Sequence, residues 1–575
     1  MKLPTLPTVN TFREMVDVFR GYNHNLRIGA GEFYDMENLT SDFYPVLSPR
    51  GKRGVYARPA SPQGMIAKDR LCYVDGTDFV VGQERITLGL STAAADCPKQ
   101  LTSMGAHVII LPDKVYVNTA DLTDYGLIEA VVTVEDVTLS LCAANGEAFG
   151  EVTVSDTAPA APADLSYWID TSGDTHVLKR YSAVQEAWAG VATTYVKLAA
   201  AGIGAAFRQY DGVAISGIAE EGIRQFNGSF VIQERGDDYI LITGILDAVT
   251  QAAMVTVERR MPDMDFLIES ENRLWGCRYG DGINEIYACK LGDFRNWNCF
   301  MGLSTDSYAA SCGTDGPFTG AITHLGIPLF FKENCVHKVY GSMPSNYQVR
   351  ATACRGVQKG NHRSLAIVNE TLYYKARSGV CAYDGSLPVE VSETLGNTVY
   401  SDAVGGAHGS KYYISMRDSR DSWHLFVFDT AKGLWHREDG LRSLGFCSFQ
   451  GEMYCIDGKD QNIVTLLGSG EAYEDAVSWM AESGELVLSS PDMKYISRLT
   501  VRLSVEPGTV IDMYAQYDLS EEWVHLCHIQ GTNLRSLDIP VRPRRCDHMK
   551  LKLTGRGGMK LYSITKTIEK GSGRS

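Results

Sequence analysis

The sequence predicts an all-β chain: a six- or seven-bladed β-propeller interrupted by an inserted small β domain, with an N-terminal extended arm and a C-terminal β-sandwich or jelly roll. Three observations carry this expectation. From about residue 64 onward, short runs of alternating apolar and polar residues recur, each bounded by Gly, Asp or Asn, which is a strand signal. These units return every 40 to 50 residues or so, the spacing of four-stranded propeller blades. The chain also holds 56 glycines and 29 tyrosines in 575 residues, with 10% aromatics, a composition suited to tight turns between aromatic-rich strands.

Residues 1–54 contain no sustained period and read as an arm lying along other surfaces. Its aromatic-polar stretches, Phe19 to Asn23 and Phe33 to Leu39, make Arg20, Tyr22, Phe33 and Tyr34 the candidate inter-subunit contacts. Residues 55–125 hold the first blades. Leu71 to Val74 meets Asp75-Gly76, a dipeptide suited to the positive φ of a type I′ turn, and Phe79 to Val81 returns. His107 to Leu111 and Lys114 to Val117 form a second hairpin. Residues 126–262 break the period with an Ala/Pro stretch at 155–163 flanked by strand patterns. A loop that long without structure of its own is improbable, so one or two β domains are expected there.

Residues 263–470 supply the remaining blades. Leu425 to Thr430 followed by Trp435 looks like a kelch blade, in which a strand ends on Asp and the Trp packs between neighbouring blades. In residues 471–575, Tyr495 to Leu503 alternates strictly. Arg498, Thr500 and Arg502 fall on one face and Leu499, Val501 and Leu503 on the other, the pattern of a half-buried strand in a sandwich.

Charge and motifs restrict the function. The 69 Asp and Glu exceed the 54 Lys and Arg, giving a net charge of −15, which argues against a chain whose whole surface grips phosphate. One basic cluster stands out, Arg542, Arg544 and Arg545. With Arg498 and Arg502 it forms a candidate basic patch for DNA phosphate or an acidic neighbour, or else an edge strand guarded by Pro and Arg. The fourteen cysteines are scattered without a CxxC pair and read as reduced, buried thiols. No apolar run approaches the roughly 18 residues of a membrane span, and the first twenty residues lack a signal-peptide core, so no membrane insertion is expected. No sialidase box, HExxH, GxSxG elbow, P-loop or GxGxxG fingerprint occurs. Glu333, Cys335 and His337 share a strand face with only one soft ligand, a structural pattern. Asp35, Glu37 and Asp42, and the pair Glu220 and Glu221, read as solvated loop charge. No catalytic residue, metal or cofactor is expected.

The stretch Phe33 to Arg50 resembles the N-terminus of tail-associated proteins of phages and prophages of Gram-positive gut bacteria. Asn272-Arg273-Leu274-Trp275-Gly276, with Ile286-Tyr287-Ala288, Gly292-Asp293 and Asn296-Trp297, resembles the pattern of packaged-DNA stabilization and tail nozzle proteins of short-tailed phages. It departs from that pattern in having Gly292-Asp293-Phe294-Arg295 where the family often has Asp-Pro. The resemblance implies a non-enzymatic virion protein of the tail or neck. Such a protein is assembled in the bacterial host cytoplasm as a homo-oligomeric, hexameric ring around the DNA channel. Its expected partners are the portal, the adaptor and other tail proteins, with passing contact to phage DNA. A lumen that is acidic would let DNA slide. A receptor- or glycan-binding tail protein and a propeller-type polysaccharide hydrolase are the alternatives.

Overall fold

The computed structural model describes residues 11–92, 99–486, 493–518, 520–531, 535–541 and 544–570, so Cys97 and Arg542 lie outside the described residues. Among the described residues the secondary structure is strand, with a few single-turn 3-10 segments and no α-helix, as the sequence predicts. Besides a small one within residues 152–190, six described sheets consist of four strands in chain order, over residues 62–87, 100–127, 266–311, 320–353, 366–390 and 400–437. The first hairpin turns one residue later than expected: Asp75 pairs with Asp78, so Gly76 and Thr77 form the loop, and Gly76 takes the φ of 62° that the turn requires.

A further sheet is built differently. Ser443–Phe449, Glu452–Asp457 and Ile463–Thr465 run in order, but the next strand is Gly54–Ala57, from the opposite end of the chain, which also pairs with Glu471–Ala472. Residues on both faces of these sheets are buried because each packs against another. Leu71, Tyr73 and Val80 meet Leu444, Tyr454 and Ile456 in one core. The boundary expected between residues 54 and 55 therefore cuts through a strand.

The chain divides into two compact units, one of residues 100–329 and 337–351 and the other of residues 1–99, 330–336 and 352–575. In the first, the sheet of residues 100–127 packs against that of residues 266–311 through Met104, Ile109 and Tyr116 on one side and Leu267, Leu274 and Trp297 on the other. The sequence between them forms a seven-stranded sheet within residues 130–259, with its own core of Val137, Leu139, Val196, Phe207, Ile240 and Val257. Arg259 anchors its last strand. The guanidinium lies 2.5 Å from the Asp211 carboxylate, with both side chains buried, and donates to the Ile128 carbonyl at 3.1 Å. Residues 152–190 add a small four-stranded sheet containing a parallel pair, Val152–Ser155 with Tyr167–Asp170.

In the second unit, the C-terminal residues form two sheets. One has Thr11–Val16, Met559–Lys570, Lys494–Val505 and Arg535–Pro540. The other has Gly21–Tyr22, Glu32–Glu37, Ser478–Ser483, Met549–Arg556, Val510–Tyr517 and Val524–Gln530. The expected alternation holds, with Leu499, Val501 and Leu503 buried and Arg498 and Arg502 exposed. The N-terminal segment, in contrast, is not an extended arm. Phe19, Tyr22, Phe33, Met36, Leu39 and Leu47 are buried in one core with Tyr400, Phe426 and Trp435 of the sheet at 400–437 and with Trp479, Leu503 and Leu561 of the C-terminal sheets. Its strands are two to six residues long and change partners, which is why no period marks them.

Where this segment turns toward Gly54–Ala57, two arginines are buried. Arg53 pairs with Asp439 at 2.7 Å and with Glu438 at 2.9 Å, and Arg50 pairs with Glu474 at 2.8 Å while its Nε donates to Asn38 Oδ1 at 2.8 Å. Burial alone would raise the Asp439 and Glu474 carboxyls, but the Arg53 and Arg50 charges outweigh it and hold both below their ordinary values.

Thirteen cysteines among the described residues are thiols, eight of them buried. Burial pushes Cys72 up to about 11 and Cys289 and Cys455 up to about 12, so the reactive thiolate is scarce at neutral pH. Native protein titrated with a disulfide reagent should release only a minority of its fourteen thiols promptly, and all of them in denaturant.

Arg53→Met should cost about 3–5 kcal/mol, because it leaves Glu438 and Asp439 buried without their cation. Carboxyls that titrate lower in the folded chain than in the unfolded one stabilise fully above the unfolded value, and that stability is lost as pH falls through the folded value. Denaturant unfolding should thus show the parent losing stability below the ordinary aspartate value of 3.8, with a shallower loss in the variant.

Candidate functional site

The described residues of the candidate basic patch, Arg498, Arg502, Arg544 and Arg545, lie in the sandwich. Arg498 and Arg502 project from strand Lys494–Val505, whose neighbours set Pro540 and Thr567 beside Arg498, and Ser536 and Ser563 beside Arg502. Arg498 lies 3.7 Å from Asp538 and Arg502 Nε donates to Ser536 at 3.4 Å. Arg545 is set opposite Tyr495, and the Arg544 guanidinium lies over the Tyr517 ring at 5.6 Å. Acidic and hydroxyl residues are therefore interleaved with these arginines. The face suits polar contact with another protein better than a continuous phosphate track, whose affinity scales with clustered cations.

Of the candidate inter-subunit residues, Tyr22 and Phe33 are 4% exposed and packed within the chain, so they cannot reach a neighbour. Tyr34 is half-buried and stacks on His24 at 4.3 Å, while Arg20 is exposed and uses its backbone N–H on Gly31. The correction has a physical cause: aromatic residues without a period look unpartnered in sequence, yet a segment crossing between two cores buries them singly. The residues that do face outward precede them. Among the described residues Thr11–Val16 ends its sheet, paired with Met559–Lys570, and Phe12 and Met15 are exposed. An exposed sheet edge bearing large apolar side chains is a template for strand addition by another chain. Six residues with no flanking turn signal gave no means of finding it.

The carboxylates considered for acid/base work are engaged in holding the segment in place. Arg437 lies 3.2 Å from Asp35 and 3.8 Å from Glu37, and Lys411 lies 2.5 Å from Asp42. Glu220 accepts the Ala253 and Ala219 backbone N–H groups. His337 is buried, with its Nε2 2.9 Å from the Thr314 hydroxyl. Asp429, which ends the kelch-like strand, is fully buried and accepts from the Ser41 hydroxyl at 2.5 Å and from Lys432 at 2.8 Å. The Trp435 indole donates to the Val391 carbonyl of the preceding sheet at 2.7 Å.

The Asn272 to Trp297 motif is architectural as well. Arg273 is 2% exposed and donates to the carbonyls of Cys289, Ser304 and Asp306 at 2.6–2.8 Å, pinning the long connection after strand Ile283–Ala288. Asn296 extends the contact, accepting from Gly212 N–H and donating to the Tyr210 carbonyl. Trp297 is buried and donates to the Phe294 carbonyl.

His436 is 2% exposed, and neither ring nitrogen has a hydrogen-bond partner among the described residues. Burial, then the neighbouring Lys411 charge, pushes its pKa down to about 3. Burial, then Arg363, takes His362 to about 4. As pH drops below the ordinary histidine value of 6.5 the unfolded chain takes up protons that the folded chain refuses, so stability is complete above 6.5 and declines below it. Melting temperature should fall between pH 7 and 5, and His436→Phe should flatten part of that slope.

No family model matches the chain, and no curated protein matches it. Solved structures give low similarities. BamB from Moraxella catarrhalis is 8% identical, with 73% of this chain and 97% of that one covered and a TM-score of 0.31. An exo-β-1,3-galactanase from Phanerochaete chrysosporium with galactose is 8% identical over 52% of this chain and 94% of its own, with a TM-score of 0.20. A Bacillus thuringiensis Cry1Da tryptic core variant is also 8% identical, covers 52% of each chain, and has a TM-score of 0.13. Scores this low carry no argument about activity.

Proposed function

We propose that the chain is a structural protein of a bacteriophage tail or neck. In this reading the seven successive sheets are the blades of one β-propeller, interrupted after its second blade by the domain of residues 130–259. Copies of the chain form a hexameric ring around the DNA channel, joined to portal, adaptor and other tail proteins. The reading rests on the resemblance of the Asn272 to Trp297 segment to the nozzle-protein pattern; in this chain those residues build one sheet and its connection. Among the described residues Thr11–Val16 ends its sheet and exposes Met15, a surface that supports assembly. Sheets closed within each subunit suit a wall that must resist internal pressure.

The test is assembly. Purified protein examined by native mass spectrometry and negative-stain electron microscopy at micromolar concentration should show six-subunit rings with a central pore. Phe12→Glu with Met15→Glu should lower the ring fraction severalfold without changing the melting temperature of the subunit. A monomer at every concentration, or rings indifferent to those changes, would count against the reading.

A further inference from the structure

We infer that Leu291, Phe300, Met301 and Leu303 form a knob by which one copy of the chain docks on the sheet edge at Thr11–Val16 of the next. The inference rests on the reading of the chain as a self-assembling subunit, and it names the two surfaces that join.

The knob lies in the connection between strands Ile283–Ala288 and Tyr308–Ser311, and its four large apolar side chains are 40–56% exposed. Backbone hydrogen bonds gather it: Leu291 N–H donates to the Thr305 carbonyl at 2.9 Å and Ser307 N–H to the Cys299 carbonyl at 3.0 Å. The buried Asp306 carboxylate accepts the Met301 and Leu303 N–H groups at 2.5 and 3.0 Å, while Arg273 holds the Ser304 and Asp306 carbonyls. A free loop of this composition would fold back and cover its own apolar groups. This one cannot, since turning Phe300 or Leu303 inward would strand the Asp306 carboxylate and the Arg273 guanidinium without their partners. Side chains held outward on a fixed backbone lose little entropy on docking, which suits an interface anchor.

Charge selects the occupant. Residues 100–329 and 337–351 carry 30 Asp and Glu against 15 Lys and Arg, whereas the rest of the chain carries 39 of each. The whole net charge of −15 therefore belongs to the unit that bears the knob. Within residues 289–307 the charges cancel, Lys290 and Arg295 against Asp293 and Asp306. An apolar, locally neutral knob on an acidic body is repelled by nucleic acid and by an anionic lipid surface. Two acidic units repel each other too, so knob-to-knob pairing is disfavoured. The neutral unit of a second copy carries no such penalty. There Thr11–Val16 ends its sheet among the described residues, with Met15 61% exposed. That strand and its partner Met559–Lys570 hold four Lys and Arg against two Glu, a local positive surplus that complements the acidic unit. Contact between two unlike surfaces runs head to tail, the kind that closes into a ring.

Two variants and their mixture, followed by sedimentation velocity and native mass spectrometry, test the inference. Phe300→Asp with Leu303→Asp removes the knob, and Phe12→Glu with Met15→Glu removes the edge. Each variant alone should stay monomeric where the parent assembles, with at least a tenfold rise in the concentration needed for association. Their equimolar mixture should give dimers and nothing larger, because one intact knob then meets one intact edge. Should the aspartates lower the melting temperature, Phe300→Ser with Leu303→Ser takes their place. A knob variant that assembles like the parent, an edge variant that still pairs through its knobs, or a mixture that stays monomeric would overturn the inference and leave self-assembly standing. A parent that is monomeric at every concentration would overturn both.

Discussion

The structure of the larger unit depends on a strap. Residues 19–57 leave the sandwich, cross the sheet at 400–437 and end as the fourth strand of a sheet whose other members lie four hundred residues later. Backbone hydrogen bonds alone would leave that strand at a frayed edge. The buried arginines on its approach prevent this, because Arg53 cannot leave Glu438 and Asp439, nor Arg50 leave Glu474, without stranding charge in a low-dielectric site. Ion pairs of this kind add little net stability over apolar residues of the same size. What they supply is register: one position of the strap satisfies all five charges, and a slip of one residue satisfies none.

The strap also ties the sandwich to the sheets. Phe19, Tyr22 and Phe33 share a core with both, and Asn38 stands at the junction, its backbone N–H on the Glu438 carbonyl, its side-chain amide on the Ser478 carbonyl, and its carbonyl side-chain oxygen on Arg50. Unfolding of the strap would expose apolar surface on two modules at once, so the two are expected to melt as one cooperative body.

Much of this architecture was legible because its strands are local. The hairpins at 71–81 and 107–117, the run of strands from 411 to 457 and the alternation of Leu499, Val501 and Leu503 each announce themselves within ten residues or so. The strap was not legible, for the opposite reason. Gly54–Ala57 pairs with Ile463–Thr465, and no pattern within four residues can reveal a partner at that separation. The buried role of Arg50 and Arg53 was hidden as well, because the acids that meet them are scattered from 438 to 474. Arg363, Arg417 and Arg442, which line one cleft, share this limit, since they come from a 3-10 turn, a strand and a connection and no spacing links them.

The strap and the cleft are joined by one short connection. Residues 438–443 present Glu438 and Asp439 to Arg53 on one side and Arg442 to Trp423 on the other. Leu441 between them is buried, its N–H on the Asp439 carboxylate at 3.1 Å and its carbonyl accepting from the Ser415 hydroxyl at 2.7 Å. The same charges that fix the register of the strap thereby fix the position of Arg442.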